Sequence, residues 1–365
     1  MAEERINSIF LERTGIPLQT FIDRANDRFA PLWYTRFFRL GTPSVSLDFT
    51  TIIGRTAIQT LASVISDNSE IPLRSRQGLE KLQGEVPTIA HGREMTSKQY
   101  REMLVMQALG ASEGAEMDAI FRLLYDDITF AGNGVHKRMD AMCLQAVSTG
   151  KITVSIDNNP DGITFDLDLM TEYPDQKLNP VKVWTDATAD IIGDIENAYL
   201  KGQDKGRSFS RILVSRKLWN TIAKNKSVQD YVKAYFNPGS NARYTVTLLT
   251  VNEVLNQNML PAFEVVDARN NVEKDGVASP FVFWNDDAAT FVPGGELGII
   301  HNALSNEQIM GSPNVYQYGY YRNAQIMRWN SRRPMTEYTV GEWKAFPGVE
   351  AIDGIFIMDT ATAAS

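Results

Sequence analysis

The sequence has few of the residues that most often build reactive or metal-binding sites. Its 365 residues include one cysteine, Cys143, so an internal disulfide is excluded. The apolar helical pattern around Cys143 favours a core position over a reactive one. The three histidines, His91, His136 and His301, lie in different segments, so the sequence shows no cluster of histidine and cysteine ligands for a metal ion. We therefore expect no metal, no cofactor and no catalytic site.

Long apolar runs and an excess of basic residues are also missing. No stretch approaches the roughly 18 apolar residues that a membrane-spanning helix needs, and the opening Met-Ala-Glu-Glu-Arg does not resemble a signal peptide. The net charge of -8 argues against a dedicated nucleic-acid binder, which is normally basic. We expect a protein made in a cytoplasm, with no membrane partner and only weak contact with nucleic acid.

One acidic segment partly matches a calcium-binding loop. Five residues fall on loop positions one, three, five, six and twelve: Asp157, Asn159, Asp161, Gly162 and Asp168. The match is incomplete, because position twelve is not Glu, a proline interrupts the loop and the flanks alternate as strands. A hairpin turn is favoured, with calcium as the alternative.

The most informative segment is an extended stretch that leads into a long helix. Residues 71–96 contain two prolines, three glycines and alternating charges among scattered aliphatics. This composition is too apolar for a disordered tail and too thin for a core. It predicts a projecting β-loop that packs on a neighbouring subunit. The charged residues expected at that contact are Arg74, Arg76, Glu80, Lys81 and Glu85.

The helix after this loop has recognisable start and stop signals. Thr96 and Gln99 have the spacing of a capping box, and an apolar stripe at helical spacing continues to Gly150, a suitable C-terminal stop. The run Ala-Gly-Asn-Gly around Gly132 predicts a break in the helix. A strand hairpin over residues 151–167 follows.

The remaining sequence predicts a compact α/β domain and then long strands. Thr185 or Asp186 is expected to cap a helix, and Trp219 is expected to pack beneath a strand at 211–215. Further predicted elements are helices at 217–224 and 228–235, strands at 244–249, 263–266, 281–284 and 290–292, long strands at 316–329 and 336–343, and a short strand at 352–358.

Two groups of charged residues stand out in the sequence, one basic and one acidic. Arg328, Arg332 and Arg333 form the best basic cluster, which could face a DNA backbone or a subunit contact, and the contact is favoured. Asp126 and Asp127 are expected at the solvated end of an element.

Four stretches share loose patterns with one protein family. They are a helix end running into a strand at 140–154, a strand with helices at 211–219 and 225–228, a turn at 291–295, and a closing strand at 346–356. Together with the order of the predicted elements, they make the chain resemble the tailed-bacteriophage major capsid proteins over essentially its whole length. The resemblance is to the lambda-like capsid protein E family with the Hong Kong 97-type fold.

This resemblance implies an α+β fold with named parts. They are an N-terminal arm (1–44), an extended β-hairpin loop (45–95), a peripheral domain with a long spine helix (96–180) and long return strands (304–345), a compact axial α/β domain (181–303), and a closing strand and tail (346–365).

The resemblance also implies a function and partners. The chain is expected to assemble as hexamers and pentamers into the icosahedral head shell around double-stranded DNA, in the bacterial cytoplasm, and to end in the virion. A portal and a decoration protein are implied partners. Because only about 44 residues precede the loop, fewer than the roughly 50 of a small domain, scaffolding is expected from a separate protein.

Two alternatives stay open from the sequence. An encapsulin-type shell around protein cargo has the same fold, and portal and terminase genes beside the coding sequence would distinguish the phage protein from it. An α/β hydrolase or transferase with an unrecognised site is less favoured, because the chain is poor in histidine and has no clustered nucleophile.

Overall fold

The computed structural model describes residues 5–53, 80–109, 115–160, 162–236, 246–274, 276–311 and 316–364. The chain divides into two compact units. The first unit comprises Met1–Phe49, Gln83–Asp140 and Ile300–Pro347, and the second comprises Thr50–Leu82, Ala141–Ile299 and Gly348–Ser365.

The described residues form both helices and strands. The helices are α1 (Ile9–Thr14), α2 (Leu18–Arg24), α3 (Ser97–Leu109), α4 (Ala115–Thr149), α5 (Ile191–Asp204), α6 (Arg216–Lys224), α7 (Lys226–Phe236), α8 (Leu248–Gln257) and α9 (Asn306–Met310). The strands are β1 (Arg5–Asn7), β2 (Phe38–Leu40), β3 (Asp48–Ile53), β4 (Glu80–Glu85), β5 (Thr88–Thr96), β6 (Lys151–Val154), β7 (Phe165–Asp168), β8 (Lys177–Leu178), β9 (Arg211–Ser215), β10 (Ala262–Val266), β11 (Asn270–Lys274), β12 (Val277–Phe281), β13 (Ala288–Val292), β14 (Gly298–Asn302), β15 (Gln317–Tyr321), β16 (Ala324–Arg332), β17 (Met335–Gly348) and β18 (Phe356–Asp359).

The first unit is built on a seven-stranded sheet. Its order is β1-β16-β17-β14-β2, with β15 paired to β16 and β5 paired to β17. Strand β5 runs antiparallel to β17 from Thr88 opposite Lys344 to Thr96 opposite Thr336. One edge of the backbone over residues 88–96 is therefore satisfied by a strand of the same chain, and packing of a neighbouring subunit on this stretch stays a prediction.

The N-terminal segment contributes to the core of the same unit. Leu11, Leu18, Phe21 and Ile22 are almost fully buried against the inner stripe of α4. The phenyl ring of Phe29 stacks on Tyr321 at 3.7 Å between ring centroids. These residues of the N-terminal segment are thus core residues of the first unit.

The single helix predicted from Thr96 to Gly150 corresponds to two described helices, α3 and α4, and α4 does not break at Gly132. The predicted capping box is confirmed, since Gln99 Oε1 accepts from the N–H of Thr96 at 2.8 Å. Helix α4 continues through Gly132 and Gly134 because their missing side chains leave room for neighbours. A Cβ on Gly132 would lie 2.7 Å from the ring of Phe29, and one on Gly134 would lie 1.9 Å from the ring of His91.

The second unit has a five-stranded sheet in the order β10-β9-β13-β18-β8. Strands β9 and β10 are parallel, with Arg211 opposite Ala262, and α5 to α8 supply apolar side chains to the same core. Trp219 is 7% exposed, lies in one cluster with Ile212 and Val214, and its ring centroid is 5.8 Å from that of Phe263. The predicted position of Trp219 beneath β9 is confirmed.

Several predicted boundaries differ from the structure for local reasons. The helix expected to start at Thr185 or Asp186 starts at Ile191, capped by the carboxylate of Asp190, because Asp186 instead bonds the N–H of Thr188 in a turn. The described residues of the strand predicted over 244–249 do not form a strand. Helix α8 begins there at Leu248, because Thr247 and Thr250 form a capping box at its start.

Turn residues shorten two other predicted strands. The strand predicted over 316–329 is a hairpin, β15 and β16, because Arg322 and Asn323 adopt positive φ angles of 46° and 68°. A short 3-10 helix, Ile352–Gly354, replaces the first half of the strand predicted over 352–358.

Among the described residues, no helix combines the length and the hydropathy that crossing a membrane would require.

Candidate functional site

The polar side chains of the predicted calcium loop bond mainly to their own hairpin and its neighbours. The carboxylate of Asp168 lies 3.0 Å from Nζ of Lys151 and 3.6 Å from Nζ of Lys177. The amide of Asn159 donates to the carbonyl of Ile163 at 2.9 Å, and Asp161 lies outside the described residues. Within the described part of the chain, no three His, Cys, Asp or Glu side chains are grouped to hold a metal ion. The observed contacts are those of a hairpin turn stabilised by side chains.

The predicted loop contacts are only partly within the described residues. Arg74 and Arg76 lie outside them, so their contacts stay a prediction. Glu80, Lys81 and Glu85 lie in β4, which pairs with β3, and the side chain of Glu85 is exposed. Strands β3 and β4 are thus the described root of the loop.

An aromatic contact anchors this root in the first unit. The ring of Phe49 stacks on His301 and on Phe346, each at 5.1 Å between centroids. A Cβ on Gly84 would lie 3.0 Å from the same ring. The described part of this root is therefore fixed by packing around Phe49.

The predicted basic cluster divides into a buried and an exposed part. Arg332, the last residue of β16, and Arg333, in the turn that follows, are exposed. Arg328 is fully buried, with 0% of its side chain exposed. The interpretation as a DNA-facing or subunit-facing residue is therefore wrong for Arg328, because its guanidinium is enclosed by its own chain. For Arg332 and Arg333 it stays a prediction.

Arg328 is the centre of a buried network of charged and polar groups. Its Nη1 donates to Asp127 at 3.1 Å and to the hydroxyl of Thr339 at 2.5 Å, and its Nε donates to Glu337 at 3.1 Å. Two carboxylates thus surround one buried cation, which is the condition under which buried charges are tolerated.

Further polar groups complete the surroundings of the two carboxylates. Glu337 also accepts from the hydroxyl of Ser8 and, at 3.0 Å, from the amide of Asn330. Asp127 also lies 3.6 Å from Arg93, whose guanidinium is 3.9 Å from the ring centroid of Phe130. The network ties the N-terminal segment, α4 and strands β5, β16 and β17 together within the first unit.

The sequence contains a signal for this network that the prediction missed. Asp127 was expected at the solvated end of an element, but it is 6% exposed within α4. It lies seven residues after Ile120 and three after Leu124, on the stripe that faces the core. A carboxylate on an apolar stripe indicates a buried cation nearby.

A second buried polar cluster fixes residues 33 and 34 on α4. Asp140 accepts from the backbone N–H of Trp33 at 3.1 Å and of Tyr34 at 2.7 Å. The hydroxyl of Tyr34 lies 3.0 Å from Nδ1 of His136, whose Nε2 lies 3.2 Å from the carbonyl oxygen of Tyr321. Burial lowers the pKa of His136 to about 4 and raises the pKa of Asp140 to about 6.

Large apolar side chains on the surface are the remaining candidate for contact with partners. In the first unit the exposed ones are Val45, Leu47, Val105, Ile309, Met310 and Met335. In the second unit they are Ile156, Ile163, Val181, Leu200, Tyr235, Leu249, Met259, Val277 and Val282. Scattered exposed apolar residues are ordinary, so these residues by themselves do not define a contact surface.

The sequence matches one protein family over most of its length. The profile of the family described as phage major capsid protein E matches residues 25–336. No curated protein matches the chain.

Solved structures with a similar backbone include proteins of phages and prophages. A prophage protein of E. coli CFT073 assigned as a capsid protein has a TM-score of 0.52 at 14% identity, covering 97% of this chain and 99% of that one. A phage-related protein of Bordetella bronchiseptica RB50 has a TM-score of 0.49 at 13% identity, covering 95% and 97%. The satellite phage P4 procapsid with its size determination (Sid) protein has a TM-score of 0.44 at 10% identity, covering 94% and 98%.

Of these three, the E. coli prophage protein carries the argument about fold. Its TM-score exceeds 0.5 over nearly the whole of both chains, and at 14% identity it shows the fold alone. The predicted α+β fold of the Hong Kong 97 type is confirmed.

Proposed function

Because the chain belongs to the phage major capsid protein E family, we propose that it assembles as hexamers and pentamers into the icosahedral head shell around the double-stranded DNA of a tailed phage. Membership of the family establishes the coarser statement, which is that the chain is a structural shell protein that assembles with copies of itself. The observation that carries the proposal is the family match over residues 25–336. Closed point-group symmetry is also the usual arrangement of soluble assemblies built from one chain.

The parts of the chain are proposed to have the roles that the resemblance implies. The extended loop (45–95) reaches a neighbouring subunit, the spine helix and long strands (96–180 and 304–345) form the peripheral domain, and residues 181–303 form the axial domain. The arm (1–44) and the closing strand (346–365) complete these domains. Strand β5, the last part of this loop, is paired within its own chain, so the residues before β5 are the part proposed to reach the neighbouring subunit.

The partners and the location follow from the same proposal. A separate scaffolding protein, a portal and a decoration protein are the proposed protein partners, and assembly takes place in the cytoplasm of the host bacterium. Packaged DNA makes only weak non-specific contacts, since the chain has a net charge of -8. The exposed Arg332 and Arg333 contribute to a subunit contact or to a DNA-facing surface.

The proposal is tested by reversing charges in the loop. The double variant Arg74→Glu and Arg76→Glu should fold normally by circular dichroism, because an exposed ion pair contributes at most about 1 kcal/mol to folding. The same variant should fail to close shells, because an ion pair at an interface can be worth roughly 2 kcal/mol or more and is repeated at every subunit.

A control variant separates the loop contact from net charge. Lys201→Glu and Lys224→Glu produce an equal change of charge at two exposed positions of the second unit, and shells should still form. Normal assembly of the loop variant, or its unfolding as a dispersed subunit, would show that the loop does not make the proposed contact.

A further inference from the structure

A polar site lies on one face of the seven-stranded sheet, the face that points away from α4. The register of the strands places three side chains there in a row, since Tyr320 is opposite Gln325 and Gln325 is opposite Glu342. Directly opposed residues of antiparallel strands have their side chains on the same face. A Cβ on Gly341 would lie 2.7 Å from the carbonyl oxygen of Ala131 in α4. Because successive strand residues point to opposite faces, the side chain of Glu342 points away from that helix.

The short helix α9 and its N-cap residue cover this row of side chains. The hydroxyl of Ser305, the N-cap residue, lies 3.2 Å from the hydroxyl of Tyr320. The carboxylate of Glu307, in the first turn of α9, accepts from the hydroxyl of Tyr316 at 2.5 Å. All of these residues belong to the first unit. We call this group the α9 site, and its members are Ser305, Glu307, Tyr320, Gln325 and Glu342.

Gln325 carries the observation that points to a ligand. The residue is only 1% exposed, and among the described residues its Oε1 has no hydrogen-bond partner. Burial raises the pKa of Glu307, but contacts that include Tyr316 and the Gln325 amide outweigh this effect and leave the pKa below its ordinary value. The amide therefore lies beside that carboxylate. A carbonyl oxygen buried without a partner costs free energy, unless a cation or a water molecule contacts it.

The charges at the α9 site do not balance. The carboxylates of Glu307 and Glu342 face one ammonium group, that of Lys344, whose Nζ donates to Oδ1 of Asn306 at 2.7 Å. Burial raises the pKa of Glu342, the ammonium of Lys344 opposes this effect, and the negative charge of Glu307 adds to it. With both carboxylates ionised, the site has an excess of one negative charge. An added cation would favour that ionised state.

The atoms of the α9 site also define the chemistry of a ligand. They are carboxylate, amide and hydroxyl oxygens, which are the ligands that hard divalent cations prefer. The described residues contain no group of three His, Cys, Asp or Glu side chains suited to a metal ion, so neutral oxygens and water would complete the coordination. Ca²⁺ tolerates irregular coordination of this kind better than Mg²⁺, which requires a nearly ideal octahedron.

We propose that the α9 site binds Ca²⁺ through the carboxylates of Glu307 and Glu342 and the side-chain carbonyl oxygen of Gln325. The ion balances the excess negative charge and supplies the partner that the buried oxygen lacks. It also connects α9 to strands β16 and β17 within the first unit. The inference does not depend on shell assembly, so its failure would leave the proposed function untouched.

The first test measures Ca²⁺ binding by calorimetry. The full chain, freed of ions with a chelator, should bind one Ca²⁺ at this site, and MgCl₂ should compete weakly. Glu342→Gln should weaken the binding about tenfold or more, because it removes one of two charged ligands. Glu94→Gln is the matched control, since it removes the same charge from an exposed position of β5, opposite Tyr338. Its affinity should equal that of the unchanged chain.

A second variant separates a ligand from a residue that only packs. Gln325→Met keeps the volume of the side chain and removes the amide. With chelator present its melting temperature should be unchanged or higher, because an unpaired buried polar group is lost. The rise in melting temperature that CaCl₂ produces in the unchanged chain should be smaller in this variant.

Three results would overturn the proposal. They are the absence of saturable Ca²⁺ binding up to millimolar concentrations, equal affinity of the unchanged chain and Glu342→Gln, and an undiminished effect of CaCl₂ on the melting temperature of Gln325→Met. Any of these would show that Gln325 contacts ordinary water instead of an ion.

Discussion

Arg328 is a basic residue of a strand that pairs with buried carboxylates of its own chain. Two carboxylates and a hydroxyl lie within hydrogen-bond distance of its guanidinium. A planar fork of donors can bond several acceptors at once, which a lysine cannot do. Its proximity in sequence to Arg332 and Arg333 suggests a shared surface, but the pairing of Arg328 with Glu337 could not be read from the sequence without the register of β16 against β17.

We predict that Arg328→Ala strongly destabilises the subunit. The change leaves Asp127 and Glu337 buried without their central cation, and breaking a buried pair in this way costs about 3–5 kcal/mol. The measurement is the free energy of unfolding of dispersed subunits in urea. Arg332→Ala is the matched control, and its exposed side chain should change that free energy by no more than about 0.5 kcal/mol. Similar changes in the free energy of unfolding for the two variants would show that the buried network does not stabilise the subunit.

His136 makes a separate prediction about pH. Its pKa is lowered by burial from the ordinary 6.5 to about 4, so the unfolded chain takes up a proton at a higher pH than the folded chain does. Stability from the neutral ring is therefore complete above pH 6.5 and is lost as pH falls from 6.5 towards 4, by about 1.4 kcal/mol for each unit.

The same segment contains a group that acts in the opposite direction. The pKa of Asp140 is raised by burial from 3.8 to about 6, so its protonation stabilises the folded chain as pH falls below 6. Comparing the unchanged chain with His136→Gln cancels this contribution. The free energy of unfolding of the unchanged chain should decrease relative to that of His136→Gln as pH falls from 7 to 4.5. A difference that stays constant over this range would contradict a buried neutral ring at His136.

At the scale of elements, periodicity predicts whether most segments are helices or strands. It does not predict whether a glycine ends a helix or allows another residue to pack closely against it. The sequence rule that glycine pairs break helices fails for α4, because Gly132 and Gly134 are positions of close approach. The approaching residues, Phe29 and His91, are more than 40 positions earlier in the chain. Only tertiary packing distinguishes a break from a contact here.

We therefore predict that Gly134→Ala destabilises the subunit. Alanine in a helix interior normally gains about 1 kcal/mol over glycine, but the added carbon would lie 1.9 Å from His91, and overpacking typically costs about 1–3 kcal/mol. The melting temperature of dispersed subunits should fall. In a His91→Ala background the same change should be harmless or stabilising, and a decrease of equal size there would mean that another contact is responsible.

The strand and helix that follow one another in the second unit were predictable because their signals are local. Ser215 ends β9 and caps α6 through the N–H of Leu218 at 3.0 Å, and the apolar residues of α6 fall on one face. Trp219→Ala should cost about 3–5 kcal/mol in the free energy of unfolding of the subunit. An unchanged midpoint of urea unfolding would show that the indole does not support this core.

At the scale of the whole molecule, the order of elements and the family were predictable, whereas the residues of the candidate site were largely not. The long helix, the hairpin after Gly150 and the α/β domain follow from patterns within about 20 residues. The buried network of Arg328 and the buried polar cluster around Tyr34 include pairs of residues about 100 to 330 positions apart. Only the folded structure shows that such distant residues are in contact. Leu11 and Phe21 of the N-terminal segment are likewise buried in one core with residues of α4 and β16 that are distant in the sequence.

The central claim is that this chain forms a closed shell, and one measurement tests it most directly. Purified chain should be followed by sedimentation velocity over a wide range of concentrations, with negative-stain microscopy of the same samples. Because assembly depends on mass action, small species should convert above a threshold concentration into large particles of uniform size that appear as closed shells. A stable monomer or small oligomer at every concentration would show that the chain does not assemble into a closed shell.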